Sequence, residues 1–467
     1  VMRASPGAIL AVLSLAAFMA GLDLFIVNVA FDDIGRDFAG ASLSSLSWVL
    51  NGYAIVYAAT LVPLGRAADR FGPKRGFLIG LGLFTLASGA CAASPGLLVL
   101  VLGRVLQALG AALLTPTSLG LLLHATPPEQ RPRAVRIWAA TAALAAAAGP
   151  VIGGLLVLAS WRWVFLVNLP IGVLTLAFAR RVVPEQRLEK PEALPDVFGA
   201  GVLTVAIAAL SLALVKAPEW GYVTTPTLSA VLVSLALMAV FAGRSRSHAS
   251  PVVEPLLLRV PAFLWSNVTM LWFSIGFGAN LLANILWMQQ VWHFSALRTG
   301  LAIAPGPLMV PIFAAVGQRL TRKLPAGAIA ALGCVLCASG AWMVLSSVRA
   351  QPDVLGAVLP GWMISSAGVG LAMPTILSCA TVDLPGSRAA TGSAIVTMAR
   401  QVGGVLGVSL LVALIGHPRG FAATHEAFQR VWWVAASAYL LAVFAALRMT
   451  PRTSRKALAE VEPVIER

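Results

Sequence analysis

Long apolar runs recur from one end of the chain to the other, separated by short segments rich in Arg, Lys, Gly and Pro. Each run is about twenty residues long, enough for a helix rising about 1.5 Å per residue to cross a hydrocarbon core of about 30 Å. The runs are continuous, not alternating, so they do not describe a membrane β-barrel. They predict membrane-spanning helices over 8–31, 46–64, 76–93, 97–122, 135–158, 163–179, 198–215, 224–243, 262–290, 299–318, 326–347, 354–381, 389–416 and 429–447. That is an even number of spans, fourteen, which places both termini on the same side. The longest connectors, Arg180–Val197 and the tail after Met449, read as solvated segments, not separate domains. The first run is read as a retained helix, because no small-residue cleavage site follows it.

Composition agrees with a polytopic, all-α membrane protein. Hydrophobic residues make up 59% of the 467 and charged residues only 11%, against about 25% in soluble proteins. The net charge of +15 does not indicate nucleic acid, because the basic residues form no patch on a soluble domain. They sit in alternate turns. One set of segments holds Arg66, Arg70, Lys74 and Arg75, then Arg131, Arg133 and Arg136, then Arg180, Arg181, Arg187 and Lys190, and later Arg319, Arg322 and Lys323. The opposite set holds only scattered cations such as Arg36, Arg162, Lys216 and Arg298. By the positive-inside rule both termini are cytoplasmic, and a multi-pass protein of the cytoplasmic (inner) membrane is expected.

No catalytic, cofactor or metal site is predicted. His124, His248, His293, His417 and His425 lie in loops or at span ends, and none pairs with a buried acid. Cys91, Cys334, Cys337 and Cys379 all fall inside apolar runs. The Cys334–Cys337 spacing reads as two small packing residues more readily than as a redox or metal pair. An enzyme is therefore not expected.

Several short motifs point to a family. "GRAADRFGP" (Gly65–Pro73) is faintly repeated as "GQRLTRKLP" (Gly317–Pro325), with Gly, Arg and Pro at the same offsets. Such a repeat suggests two parallel halves, a common plan in transporters. "GRAADRFGPKR" resembles the loop signature between the second and third helices of the major facilitator superfamily. "LGRVLQALGAA" (Leu102–Ala112) resembles its fourth-helix motif, and "GPVIGG" (Gly149–Gly154) its antiporter-associated fifth-helix motif. "LDLFIVNVA" (Leu22–Ala30), "WRWVFLVNLPIG" (Trp161–Gly172) and "RQVGGVLG" (Arg400–Gly407) resemble the fourteen-span drug:proton antiporters of that superfamily.

The resemblance implies two six-helix bundles with two inserted transmembrane helices. The expected divisions are an N-terminal bundle over 1–182, a linker with the extra pair over 183–260, a C-terminal bundle over 261–448 and a cytoplasmic tail over 449–467. It also implies substrate binding near the membrane midplane, with alternating access.

Asp23 is a carboxylate in the middle of a lipid-soluble run, where an ionised group is expensive. It lies roughly 5 Å outward of its span's centre, and Arg104 roughly 9 Å outward of the fourth span's centre, at about 1.5 Å per residue. In the resembling fold both helices line the cavity, so the two side chains can meet directly, through Gln107 or through water. Burial favours the neutral carboxyl and a guanidinium favours the ionised one, and their balance makes a proton site. The expectation is that Asp23 carries the coupling proton and Arg104 tunes it; the alternative is a static pair that holds two helices together. Arg400, also within a span, either snorkels, bonds backbone carbonyls or meets an anionic ligand group.

Gly65, Asp69, Arg70, Gly72 and Arg75 form an inner loop with gating chemistry. Gly65 permits close helix approach and Gly72 a tight turn. The resemblance implies that Asp69 reaches the start of the thirteenth span, near Ser387–Ala390, and holds a cytoplasmic gate. Thr321 stands where Asp69 would fall in the second copy. Gly149 and Pro150 bend the fifth span, and Gly153 and Gly154 permit close packing. The implied role is an outer seal, against an ordinary packing kink; Ala145 stands where the family often has glycine. Asp32, Asp33 and Asp37 form an outer acidic cluster, either a solvated helix end or a device for cation attraction or proton delivery.

Asn28, Asn51, Tyr53, Tyr57, Gln107, Trp272, Phe277, Asn280, Asn284, Trp287, Gln289 and Arg400 are candidates for a substrate pocket, though each can equally serve helix packing. The last six spans hold no core carboxylate, which disfavours divalent cations and suits monovalent, neutral, zwitterionic or anionic compounds. The leading expectation is proton-coupled export of small amphipathic drugs, antibiotics or dyes. A dedicated exporter or a proton-coupled importer of one metabolite is the alternative within transport, and a non-transporting membrane sensor the alternative outside it. The expected partners are protons, a small-molecule substrate and the lipid bilayer, with the protein a monomer.

Overall fold

A computed structural model describes residues 6–38, 40–185, 194–385, 388–416 and 418–449. The described residues form sixteen α-helices and no strand. In chain order they are α1 (Pro6–Asp37), α2 (Leu43–Phe71), α3 (Pro73–Ala92), α4 (Leu97–Ala125), α5 (Arg131–Val157), α6 (Trp163–Leu166), α7 (Asn168–Val182) and α8 (Val197–Trp220). Then follow α9 (Thr225–Ser247), α10 (Pro261–Leu286), α11 (Ala296–Ile303), α12 (Pro305–Leu320), α13 (Ala326–Ser347), α14 (Leu359–Val382), α15 (Ala389–Ile415) and α16 (Phe421–Ala446). They build 14 helical segments long and apolar enough to cross a membrane. Large apolar side chains such as Leu86, Phe178 and Phe444 stand exposed on the helix exteriors, as suits contact with lipid.

The predicted spans are all present, with local differences. α1 continues past 31 to Asp37, where Arg36 pairs with Asp32 one turn back at 2.5 Å. The sixth span breaks at Val167 into α6 and α7. Pro170 follows the break; it has no N–H to donate to the Leu166 carbonyl. The tenth span breaks at Ala304 into α11 and α12, where Pro305 and Pro307 remove two further donors. Trp287–Val291, at the end of the ninth span, and Val354–Val358, at the start of the twelfth, are wider π-helical turns.

The chain forms two compact units, Val1–Gly201 with Phe294–Ala304, and Val202–His293 with Pro305–Arg467. In the first, small residues bring helix backbones together. At the α3–α4 crossing a methyl on Gly110 would lie 2.6 Å from the Phe84 nitrogen and 2.8 Å from the Gly80 carbonyl oxygen. Where α1 meets α5, a methyl on Gly149 would lie 2.7 Å from Phe25 Cβ. α11 packs on the same helix, with Gly154 against the Leu297 backbone and Gly300 against the Pro150 carbonyl. The α2–α3 turn uses Gly72 at φ 114°, a conformation that favours glycine.

In the second unit, Gly403 and Gly407 of α15 lie against the Leu271 and Ile275 carbonyls of α10. α8, α9 and the turn between them make polar contacts within this unit. Ser211 of α8 meets Ser409 of α15 at 2.7 Å, and the Tyr222 hydroxyl donates to the Ala413 carbonyl at 2.7 Å. Ser234 of α9 donates to the Ala206 carbonyl of α8 at 2.8 Å.

Candidate functional site

The first unit contains a buried polar cluster centred on Asp23. Asp23 and Gln107 are fully buried and Arg104 is 1% exposed. Their positions follow from helix geometry: Arg104 and Gln107 are three residues apart on α4, so they share a face, and that face meets α1 at Asp23. Arg104 Nη1 donates to Asp23 Oδ2 at 2.5 Å and to Gln107 Oε1 at 2.6 Å. Gln107 Nε2 donates to Asp23 Oδ1 at 2.8 Å and to Ser88 Oγ of α3 at 2.8 Å. Arg104 Nε donates to the Val49 carbonyl of α2 at 3.1 Å. The guanidinium lies over the Tyr53 ring, 4.1 Å from its centroid, and 5.8 Å from that of Phe165. Five elements, α1, α2, α3, α4 and α6, thus surround one ion pair. A buried pair of this kind is tolerated only when its remaining donors and acceptors are also met.

Asn168 and Ser88 complete the cluster, and neither stood out in the sequence. Asn168 Nδ2 points at Asp23 Oδ1 at 3.3 Å and at Ser88 Oγ at 3.4 Å. Asn168 lies within the "WRWVFLVNLPIG" stretch, and its place at the start of an apolar helix was the available signal. Serine in a membrane helix carries no comparable signal, because it commonly bonds its own helix; Ser88 does so, donating to the Phe84 carbonyl at 2.8 Å.

The other candidates fall in several places. In the first unit, Asn28 is half-buried and donates to its own helix at Leu24, 2.8 Å. Asn51 is buried on α2. Tyr57 stacks on Tyr53 at 6.0 Å and donates to Thr115 at 3.3 Å. In the second unit, Asn284 accepts from Trp432 of α16 at 3.0 Å, and Trp287 packs on Trp432 and Phe428, with ring centroids 5.6 and 5.3 Å away. Asn280, Asn284, Trp287 and Gln289 are all buried. Trp272, Phe277 and Arg400 are half-buried, and Phe277 stacks on Phe273 at 6.4 Å.

The gating candidates are at element ends and crossings. A methyl on Gly65 would sit 3.3 Å from Pro116 of α4. Arg70 lies over Phe71, Arg75 approaches Glu185 at 3.6 Å, and Asp69 belongs to the last turn of α2. Ser387, the implied end of Asp69's reach, lies outside the described residues. At the far end of α1, Asp37 accepts from Arg162 at 2.7 Å and from the Trp161 indole at 2.8 Å.

Residues 13–408 match the sequence pattern of the Major Facilitator Superfamily. The chain belongs to the major facilitator superfamily. This major facilitator is 32% identical over 408 residues to the multidrug resistance protein B homolog of Mycobacterium tuberculosis, covering 86% of the chain and 74% of the relative. It is 31% identical to the methylenomycin A resistance protein of Streptomyces coelicolor, covering 84% and 82%. It is 30% identical to the tetracenomycin C resistance and export protein of Streptomyces glaucescens, covering 89% and 77%. Among solved structures it resembles a D-xylose-proton symporter, with a TM-score of 0.67 at 15% identity over 96% of this chain and 98% of that one. It also resembles a POT family transporter in complex with 5-aminolevulinic acid, with a TM-score of 0.69 at 18% identity over 95% and 96%. At such identities the likeness establishes the fold. This major facilitator is accordingly a multi-pass membrane transporter, not an enzyme.

Proposed function

We propose that this major facilitator is a proton-coupled antiporter that exports small amphipathic compounds by alternating access. The observation that carries the reading is the buried Asp23–Arg104–Gln107 cluster. A carboxylate with no exposure to solvent stays ionised only while its cation and hydrogen-bond donors are in place. If the transport cycle loosens those contacts or admits water, the affinity of Asp23 for a proton changes. Asp23 then carries the coupling proton and Arg104 sets how tightly it is held. The inner loop from Gly65 to Arg75 and the glycine-rich bend at Gly149–Gly154 serve as gates. Amphipathic substrates are held by large apolar contacts and few hydrogen bonds.

The test is proton flux in liposomes containing the purified protein, against a panel of dyes and antibiotics. Wild type is expected to release protons inward as substrate leaves, and acidifying the outside should drive substrate outward. Asp23→Asn is expected to abolish the coupled flux. Full coupled efflux by that variant would sink Asp23 as the coupling acid, efflux with no proton flux in wild type would sink antiport, and inward substrate movement under the same gradient would mark a symporter. Relatives named for resistance to a single antibiotic favour a second reading, a dedicated exporter. Transport of one compound in the panel, with none of the others competing, would select it.

A further inference from the structure

Asn168 opens α7, is fully buried, and is the least committed group around Asp23. Its two donor contacts, at 3.3 and 3.4 Å, are long for hydrogen bonds to nitrogen. Its carbonyl oxygen, Oδ1, has no hydrogen-bond partner. A buried carbonyl without a donor carries a free-energy penalty, and hydrocarbon supplies no water to relieve it. Its neighbours are held far more firmly. Arg104 is fixed by Asp23, Gln107 and the Val49 carbonyl, and Gln107 by short bonds to Asp23, Ser88 and Arg104.

All these groups donate to Asp23, so the arrangement suits a carboxylate. A protonated carboxyl has an O–H that must donate in turn. Oδ2 faces the guanidinium, so the proton belongs on Oδ1. Turning the Gln107 amide to accept it would sacrifice short bonds to Arg104 and Ser88. Turning the Asn168 amide by half a turn sacrifices only two long contacts and brings an unpartnered oxygen to the carboxyl.

We propose that Asn168 is a positioning residue that donates to ionised Asp23 and turns over to accept the hydrogen bond of protonated Asp23. The proposal rests on the reading of Asp23 as the coupling acid. A proton from water adds to Oδ1, Asp23 passes from −1 to neutral, and Arg104 keeps its charge. On release the proton returns to water and the amide turns back.

The groups facing this pair are few. Tyr53 comes from α2, Ser88 and Cys91 from α3, Arg104 and Gln107 from α4 and Phe165 from α6. α5 meets α1 through Gly149 and Gly153. The basic residues of α5, Arg131, Arg133 and Arg136, belong to its first turns, and Arg298 of α11 lies over Phe294, 3.7 Å from its centroid. Arg104 is thus the cation that any change in Asp23's charge works against.

Infrared difference spectroscopy of the purified protein across pH tests this, with the Asp23 carboxyl band identified as the one missing in Asp23→Asn. Asn168→Leu removes a strong acceptor from the protonated form and only a long donor from the ionised form. The band is expected to titrate about one pH unit lower, an about tenfold loss in proton affinity. Ser88→Ala removes a partner that holds the amide in its donating position, so the band should titrate higher. Titration at higher pH in Asn168→Leu would make Asn168 a fixed donor, and unchanged titration would make it packing; either overturns the proposal. Should Asn168→Leu fail to fold, an unmoved band in Ser88→Ala overturns it instead. Coupled efflux by Asp23→Asn would refute the assignment of the coupling proton to Asp23 and leave the turning of Asn168 to be judged by the band shift, which is read without transport.

Discussion

Arg104 holds more of the site together than Asp23 does. It bonds Asp23, Gln107 and the Val49 carbonyl, and its face lies on Tyr53. With Asp23→Asn the guanidinium keeps three of these contacts. With Arg104→Gln a buried carboxylate keeps only amide donors, and breaking a buried pair from one side costs about 3–5 kcal/mol. Arg104→Gln is therefore expected to lower the thermal unfolding midpoint more than Asp23→Asn. The double variant Asp23→Asn/Arg104→Gln should recover much of that loss, because no charge is then left unmatched, while coupled transport stays absent. A double variant no more stable than Arg104→Gln alone would show that charge balance does not govern this site. Asp23 and Arg104 were legible in the sequence because a charge in an apolar run is conspicuous. Asn168 and Ser88 were not. Small polar side chains are common in membrane helices, and their meeting at Asp23 depends on how α1, α3 and α7 pack.

At the scale of helices, bilayer thickness sets span length, so the fourteen spans could be read from apolar runs alone. The breaks were harder. Those after Leu166 and Ile303 follow from prolines that remove backbone donors, whereas the wide turn at Trp287–Val291 has no such marker. Close crossings were legible only as glycines, without their partners. The α3–α4 crossing offers a clean comparison. A methyl on Gly110 would press on the Phe84 and Gly80 backbones, which cannot yield as a side chain can. Gly82, on the same helix as Gly80, has nothing within 4 Å of an added methyl. Gly110→Ala is expected to cost about 1–3 kcal/mol from overpacking. Gly82→Ala should be neutral or stabilising by up to about 1 kcal/mol, through helix propensity. Thermal unfolding in detergent reads both. Equal effects at the two positions would mean that the crossing is looser than its geometry requires.

For the whole molecule the remaining expectation is orientation, which follows from charge and count together. An even number of spans places both ends of the chain on one side, and the segments on that side hold the dense basic turns at Arg66–Arg75, Arg131–Arg136 and Arg319–Lys323. Cations on the other side are sparser, and several are engaged by acids: Arg36 by Asp32, Arg162 by Asp37 and Lys216 by Glu219. The positive-inside rule then puts the termini in the cytoplasm. A green fluorescent protein fused after Arg467 should fluoresce, because it folds in the cytoplasm. Alkaline phosphatase inserted at Gly221, in the α8–α9 turn, should be active, because that turn faces out. The reverse pattern would refute the orientation and carry a mechanistic consequence. The Asp32–Asp37 end of α1 would then face the cytoplasm, so protons arriving from outside would approach Asp23 from the opposite end of α1. Topology thus decides whether the acidic end of α1 stands on the side from which an antiporter takes its proton.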